Sequence, residues 1–184
     1  YANNEQTSLA SILRKEGYET AFFHGGINGT MNFDSWAASA GYNKYVGKNE
    51  YNNDADFDNF WGIWDEPFLK YSVKKMEEMK EPFHTAIFTL SSHHPYFVPA
   101  LYKNKFPKGQ LENTESIEYA DYALKQFFAS AKKTKWYNNT IFVLTADHAS
   151  ISEHPFFSNV VGNLTIPILF FDPKNALSGH SSKA

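Results

Sequence analysis

Apolar residues follow two alternating periods along this 184-residue chain. Residues 18–23, 83–90, 140–146 and 166–171 are short runs dense in β-branched and aromatic side chains, which predicts strands. Between them the apolar positions recur every three or four residues, which predicts helices. Residues 7–16 carry Leu9, Ile12 and Leu13 as one stripe, with Thr7 or Asn4 as a cap and Gly17 as a stop. Residues 33–40 read as a short helix stopped by Gly41, and 42–46 as a short strand. A helix over 65–80 opens with Asp65-Glu66-Pro67. Proline is tolerated there, and acids favour the positive end of the helix dipole. Its inner face holds Phe68, Leu69, Ser72, Val73, Met76 and Met79. A longer helix over 114–133 puts Ile117, Ala120, Leu124, Phe127, Phe128 and Ala131 on one side. Residues 48–65 keep neither period and predict an irregular excursion over the sheet's carboxyl edge.

Helix and strand in alternation predict one α/β domain over residues 1–184. Its sheet is mostly parallel, flanked by helices on both faces, with the four longer strands as parallel members of that one sheet. Ligands of such sheets collect beyond the carboxyl ends of the strands. Three of these ends carry histidine: His24-Gly-Gly after the first strand, Ser-Ser-His93-His94-Pro after the second, and Asp147-His148 after 140–146. A carboxylate and an imidazole side by side suit a divalent ion. The same pair also suits a helix cap beside a surface histidine. The recurrence of histidine at three strand ends favours one shared site.

Composition narrows the field. A formal net charge of -3 with no Lys/Arg run gives no electrostatic case for nucleic acid. The absence of cysteine excludes a disulfide scaffold, a thiolate metal site and a cysteine nucleophile. The aromatic share of 17% fits core packing or an aromatic-lined groove. No apolar stretch reaches membrane-spanning length. The acids of 48–65 lack the glycine and terminal glutamate of a calcium loop.

The tracts Leu-Ser-Ser-His-His-Pro-Tyr (90–96), Thr-Ala-Asp-His (145–148) and Ile-Ser-Glu-His (151–154), in this order and spacing, resemble the sulfatase-like branch of the alkaline phosphatase superfamily. Within it they are similar to phosphoglycerol transferases of the lipoteichoic acid synthase type. Residues 23–34 resemble membrane-anchored bacterial members of the same group. The resemblance implies a divalent cofactor, manganese first, with magnesium, calcium or zinc as alternatives. It makes Asp147 and His148 metal ligands, and His93, His24 and Ser152 contacts to substrate. The implied substrate is a phospholipid head group or another phosphate or sulfate ester. The implied setting is the extracytoplasmic face of a bacterial membrane, in a membrane-anchored parent. A sulfuric ester hydrolase and a non-catalytic binding module on the same fold are the alternatives. In this branch an acidic ligand and a nucleophilic threonine lie upstream of the stretch resembling 7–17, and Thr7, Thr20 and Thr30 do not stand in that context. The expectation is therefore a partial domain, inactive in isolation, with no catalytic nucleophile in these residues. Gly26, Met31 and Phe33 fall where the lipoteichoic acid synthases have an acid, a tryptophan and an arginine, so the substrate differs or another cation serves.

Overall fold

The computed structural model describes residues 6–175 and Gly179. Helix α1 (Leu9–Lys15) is capped by Ser8 rather than by Thr7: Ser8 and Ser11 bond each other's backbone N–H reciprocally. Asn4, the other cap expected, lies outside the described residues. Gly17 ends the turn at φ 85°, a conformation that costs glycine nothing.

Strand β1 (Glu19–His24) is the centre of a parallel sheet, between β2 (Lys44–Val46) and β3 (Phe83–Phe88), in the order β2–β1–β3. Successive side chains of β1 point to opposite faces. Phe22 meets Phe33 and Trp36 of helix α2 (Phe33–Ser39) on one face. Ala21 and Phe23 enter the main core with Phe68, Leu69, Val73 and Met76 of helix α4 (Asp65–Glu77) on the other. Both faces are covered, which is why β1 is buried from Thr20 to His24.

The inner face of α4 is the predicted one: Phe68, Leu69, Ser72, Val73 and Met76 are buried, and Met79 just beyond its end is buried too. Helix α5 (Thr114–Ala131) packs against α4, but its buried stripe is Ser116, Tyr119, Ala123, Phe127 and Ala131. Ile117, expected inside, is 48% exposed. Burial follows the ring of Tyr119, which lies among Trp64, Tyr102 and Phe106. Phe127 and Ala131 are buried as expected and Leu124 and Phe128 pack against the core, so only the first turn departs, where a count of apolar letters weighs Ile117 above Ser116.

The expected row of four parallel strands is corrected at its far end. β1 and β3 are parallel neighbours, but β4 (Phe142–Thr145) and β5 (Ile168–Phe171) form a separate antiparallel ribbon. Residues 146–167 hold two short 3-10 turns, Pro155–Ser158 and Gly162–Leu164, in place of a crossover helix. A parallel return needs a crossover connection, usually a helix, whereas a chain that turns back at the strand end pairs antiparallel. The ribbon is anchored by Phe142, which touches Phe127, Phe128, Trp136, Tyr137 and Phe171.

Candidate functional site

Segment 48–64 lies over the carboxyl edge of the sheet, as its lack of period predicts. It holds helix α3 (Lys48–Tyr51) and a 3-10 turn, Asp54–Asp56. Gly26 pairs with Gly62 in an isolated antiparallel bridge, and the Ile63 N–H donates to the Gly25 carbonyl at 2.9 Å. A Cβ at Gly62 would stand 2.6 Å from that carbonyl oxygen, so only glycine permits the approach. One oxygen of Asp58 accepts the N–H groups of Phe60, Trp61 and Gly62 at 2.8, 2.8 and 2.9 Å, which fixes the direction of Trp61.

Trp61 walls the second histidine motif. Its ring centroid is 4.2 Å from that of His93, and its indole N–H donates to the His94 carbonyl at 2.6 Å. His93 is exposed. Its Nδ1 lies 2.9 Å from the His94 carbonyl, which can only accept, so Nδ1 carries the proton. Nε2 of the neutral ring is therefore a bare lone pair, free to accept from a hydroxyl.

The third motif has the same logic with a sharper outcome. Nδ1 of His148 donates to the Ala149 carbonyl at 2.7 Å, which leaves Nε2 of the neutral ring unprotonated. That lone pair stands 3.5 Å from Oδ2 of Asp147. A proton on Nε2 makes this contact an ion pair, and a divalent cation between the two atoms would hold both. Both side chains are exposed, His148 to 66% and Asp147 to 57%. Carboxylate and imidazole are donors of the right type for a divalent ion, but a catalytic centre uses three or more protein ligands. Among the described residues no third His, Cys, Asp or Glu joins the pair.

An open cleft of about 640 Å³ runs beside this pair, lined by Tyr96, His148, Ser150, Ser152, Asn159 and Asn163 among others. Tyr96 of the second motif and His148 of the third both line this cleft, whereas His93 and Asp147 are not among its lining residues. Ser152 lies in the lining, and its Oγ accepts the His154 N–H at 3.1 Å.

His24 does not open onto that cleft, contrary to the shared-site expectation. It is 2% exposed, with Phe33 at 4.5 Å and Phe88 at 5.7 Å from its ring, and with Nδ1 2.9 Å from the Tyr45 hydroxyl. Burial pulls its pKa down to about 4, so the ring is neutral. A strand-end histidine in the sequence looks the same whether the next loop covers it or leaves it open. Here Phe33, Tyr45 and Phe88 enclose the ring, and Gly26 lies so close that a Cβ there would stand 2.5 Å from Cε1 of His24. Thr20 is fully buried, its hydroxyl bonded to the Gly41 carbonyl and to Asn43.

Sequence reasoning passed over Asp65, Ser91 and Asn113. Asp65 is a fully enclosed carboxylate whose burial raises its pKa to about 6. It accepts the N–H groups of Leu90 and Ser91. Asn113 ties the start of α5 to Ser150 at 3.2 Å, beside the cleft. An acid at a helix start reads as a dipole partner, and nothing in the sequence links it to a turn 25 residues on.

A parallel sheet under flanking helices, with an acid–imidazole pair at a strand end, defines an α/β fold of the alkaline phosphatase type. The chain belongs to the sulfatase family, whose model matches residues 1–184. It is 32% identical over 158 residues to lipoteichoic acid synthase 1 of Bacillus subtilis, a match that covers 82% of this chain and 25% of that protein. An alkaline phosphatase superfamily protein of Vibrio parahaemolyticus superposes with a TM-score of 0.76 at 28% identity, over 93% of this chain and 43% of that one. The lipoteichoic acid synthase LtaP of Listeria monocytogenes gives 0.82 at 20% identity, over 97% and 49%. The chain thus spans about a quarter of that curated relative and under half of each of these two solved chains. The family is one of enzymes, and divalent-metal dependence is general in the superfamily.

Proposed function

We propose that this chain is part of a metal-dependent phosphoglycerol transferase or phosphodiester hydrolase acting on a phospholipid head group at the extracytoplasmic face of a bacterial membrane. The observation that carries the reading is Nε2 of His148 facing the Asp147 carboxylate at 3.5 Å while Nδ1 is committed to the Ala149 carbonyl. Asp147 and His148 would hold the ion, with manganese favoured over magnesium, calcium or zinc. A bound divalent ion would supply charge to the nonbridging oxygens of a transferred phosphoryl group. His93, with Nε2 free, accepts a hydroxyl proton or, once protonated, donates to a phosphate oxygen. Ser152 offers a hydroxyl in the cleft wall. His24 takes no part in contact with substrate here; it packs. No residue of this chain is assigned as nucleophile.

The test is turnover by the full-length protein with manganese, on a nitrophenyl phosphodiester, on phosphatidylglycerol and on an aryl sulfate. Turnover of the phosphodiesters, lost in Asp147→Asn and in His148→Ala, is the expected result. Turnover of the sulfate alone would replace the reading with a sulfuric ester hydrolase. Full activity in Asp147→Asn would remove the metal pair from the mechanism.

A further inference from the structure

The segment that runs into α4 grips the His93 turn from two sides. Trp61 does so with its ring and its indole N–H, as described above. Asp65, four residues on, does so through the backbone. Its Oδ1 accepts the Leu90 N–H at 2.9 Å, and each of its two oxygens lies 3.2 Å from the Ser91 N–H. In return the Asp65 N–H donates to the Ser91 hydroxyl at 3.0 Å. Asp65 is 3% exposed and Ser91 5%. No lysine or arginine pairs with Asp65 among the described residues. The His93 N–H donates to the Leu90 carbonyl at 3.1 Å, so the turn is tied at Leu90 and Ser91 and leads straight to the imidazole.

A carboxylate buried without a cation is costly, and a site that held the turn only for stability could use a neutral acceptor. An ionised carboxylate differs in one respect: it is acceptor-only, so it takes both amides and offers no donor that would push either away. Asp65 is also the first residue of the 13-residue helix α4, where the open N–H groups and the helix dipole favour negative charge. The carboxylate therefore joins a core helix to the turn that carries His93.

We propose that Asp65 is a positioning residue of the candidate site, acting through the Leu90 and Ser91 amides to fix where His93 Nε2 points, with Trp61 as the opposing wall. The proposal rests on the reading that His93 contacts substrate. It predicts that removing the carboxylate leaves the fold standing and misplaces the imidazole. Removing the outer partners of metal-ligating side chains costs about 10- to 100-fold in affinity or activity, and a loss of that order is expected for a partner that orients a substrate-contacting imidazole.

The experiment is a double-mutant cycle in the full-length protein with manganese, using Asp65→Asn, His93→Ala and the pair, read as kcat and KM on the nitrophenyl phosphodiester. Amide hydrogen exchange is followed at Leu90 and Ser91. The expected result is a fall in kcat/KM of about 10- to 100-fold in Asp65→Asn, and faster exchange at Leu90 and Ser91 with the amides of β1 unchanged. The Asp65→Asn effect should vanish in the His93→Ala background, because both changes act on the same contact. Additive losses in the cycle would overturn the positioning role while leaving His93 as a substrate contact. Unchanged exchange at both amides would overturn it as well. If His93→Ala alone leaves kcat/KM intact, the reading of His93 fails, and the positioning role with it. Should Asp65→Asn unfold the protein, Ser91→Ala removes the reciprocal bond and leaves the carboxylate; it is expected to give the same non-additive pattern at smaller size.

Discussion

His24 and His148 both follow an apolar strand, and the two environments are opposite. His24 is 2% exposed, boxed by Phe33, Phe88 and Tyr45, and neutral. His148 is 66% exposed, with one nitrogen committed to a carbonyl and the other turned to a carboxylate. The strands do not make the difference; the loops after them do. Gly25-Gly26 lets a neighbouring segment fold down onto the strand end, and a buried imidazole with one hydroxyl partner becomes packing. Ala149-Ser150-Ile151-Ser152 turns aside along a cleft and leaves its imidazole available. A histidine becomes chemically useful where the backbone keeps water or a ligand within reach of a lone pair.

The sharpest way to break this contrast is to delete each ring. His24→Ala empties an enclosed site and strands the Tyr45 hydroxyl, which should cost about 3 kcal/mol of stability. His148→Ala, at an exposed position, should stay within about 0.5 kcal/mol. Urea unfolding of the two variants beside the parent measures both, and equal losses would erase the distinction.

A pH titration sharpens it. The folded pKa of His24, about 4, lies below its ordinary 6.5. Its contribution to stability is full above pH 6.5 and is lost as pH falls through 4, an effect of about 3 kcal/mol. Asp65 runs the other way: its folded pKa is about 6 against an ordinary 3.8. Its contribution is full below pH 3.8 and is lost as pH rises through 6, again about 3 kcal/mol. The two slopes oppose each other between pH 4 and 6. Asp65→Asn should therefore lose stability toward acid more steeply than the parent, by about 3 kcal/mol over that interval. Parallel curves for variant and parent, from melts at stepped pH, would show that Asp65 titrates normally.

A smaller effect is expected at the cover. A Cβ on Gly26 would sit 2.5 Å from Cε1 of His24, so Gly26→Ala must displace the ring or the loop. Overpacking of this kind costs about 1–3 kcal/mol. NMR titration of the His24 ring should show its pKa moving up toward 6.5 as the box opens.

The smallest effect on stability belongs to Asp147→Asn, within about 0.5 kcal/mol, because the carboxylate is exposed. Calorimetric titration of the full-length protein with manganese should nevertheless register lost binding. A stable variant that binds no metal separates this strand end from that of His24.

The elements that fixed their own period were legible in the sequence: β1, β3, the inner face of α4 and the excursion over the sheet edge. The three histidine-bearing strand ends were legible as positions, not as environments. Whether His24 was open depended on Phe33, Tyr45 and Phe88, which reach its ring from three other elements. The pairing of β4 with β5 was not legible, because an apolar run does not state its neighbour or direction. Most of the inner face of α5 was legible, but the exposure of Ile117 was not, because a tyrosine ring inside an aromatic cluster outweighed an isoleucine. Asp65 hid behind a local explanation that was also correct: it does stand at a helix start.

The ribbon of β4 and β5 has a consequence outside chemistry. Its outer face presents Val143, Ile168 and Phe170, each more than half exposed, and among the described residues β4 is paired on one side only. A short uncharged run such as Ile141-Phe-Val-Leu-Thr145 with a bare edge is a template for strand-to-strand association between molecules. Solutions of these residues alone should therefore self-associate as concentration rises, and a single lysine at position 143 should suppress that association without disturbing Phe142 beneath it.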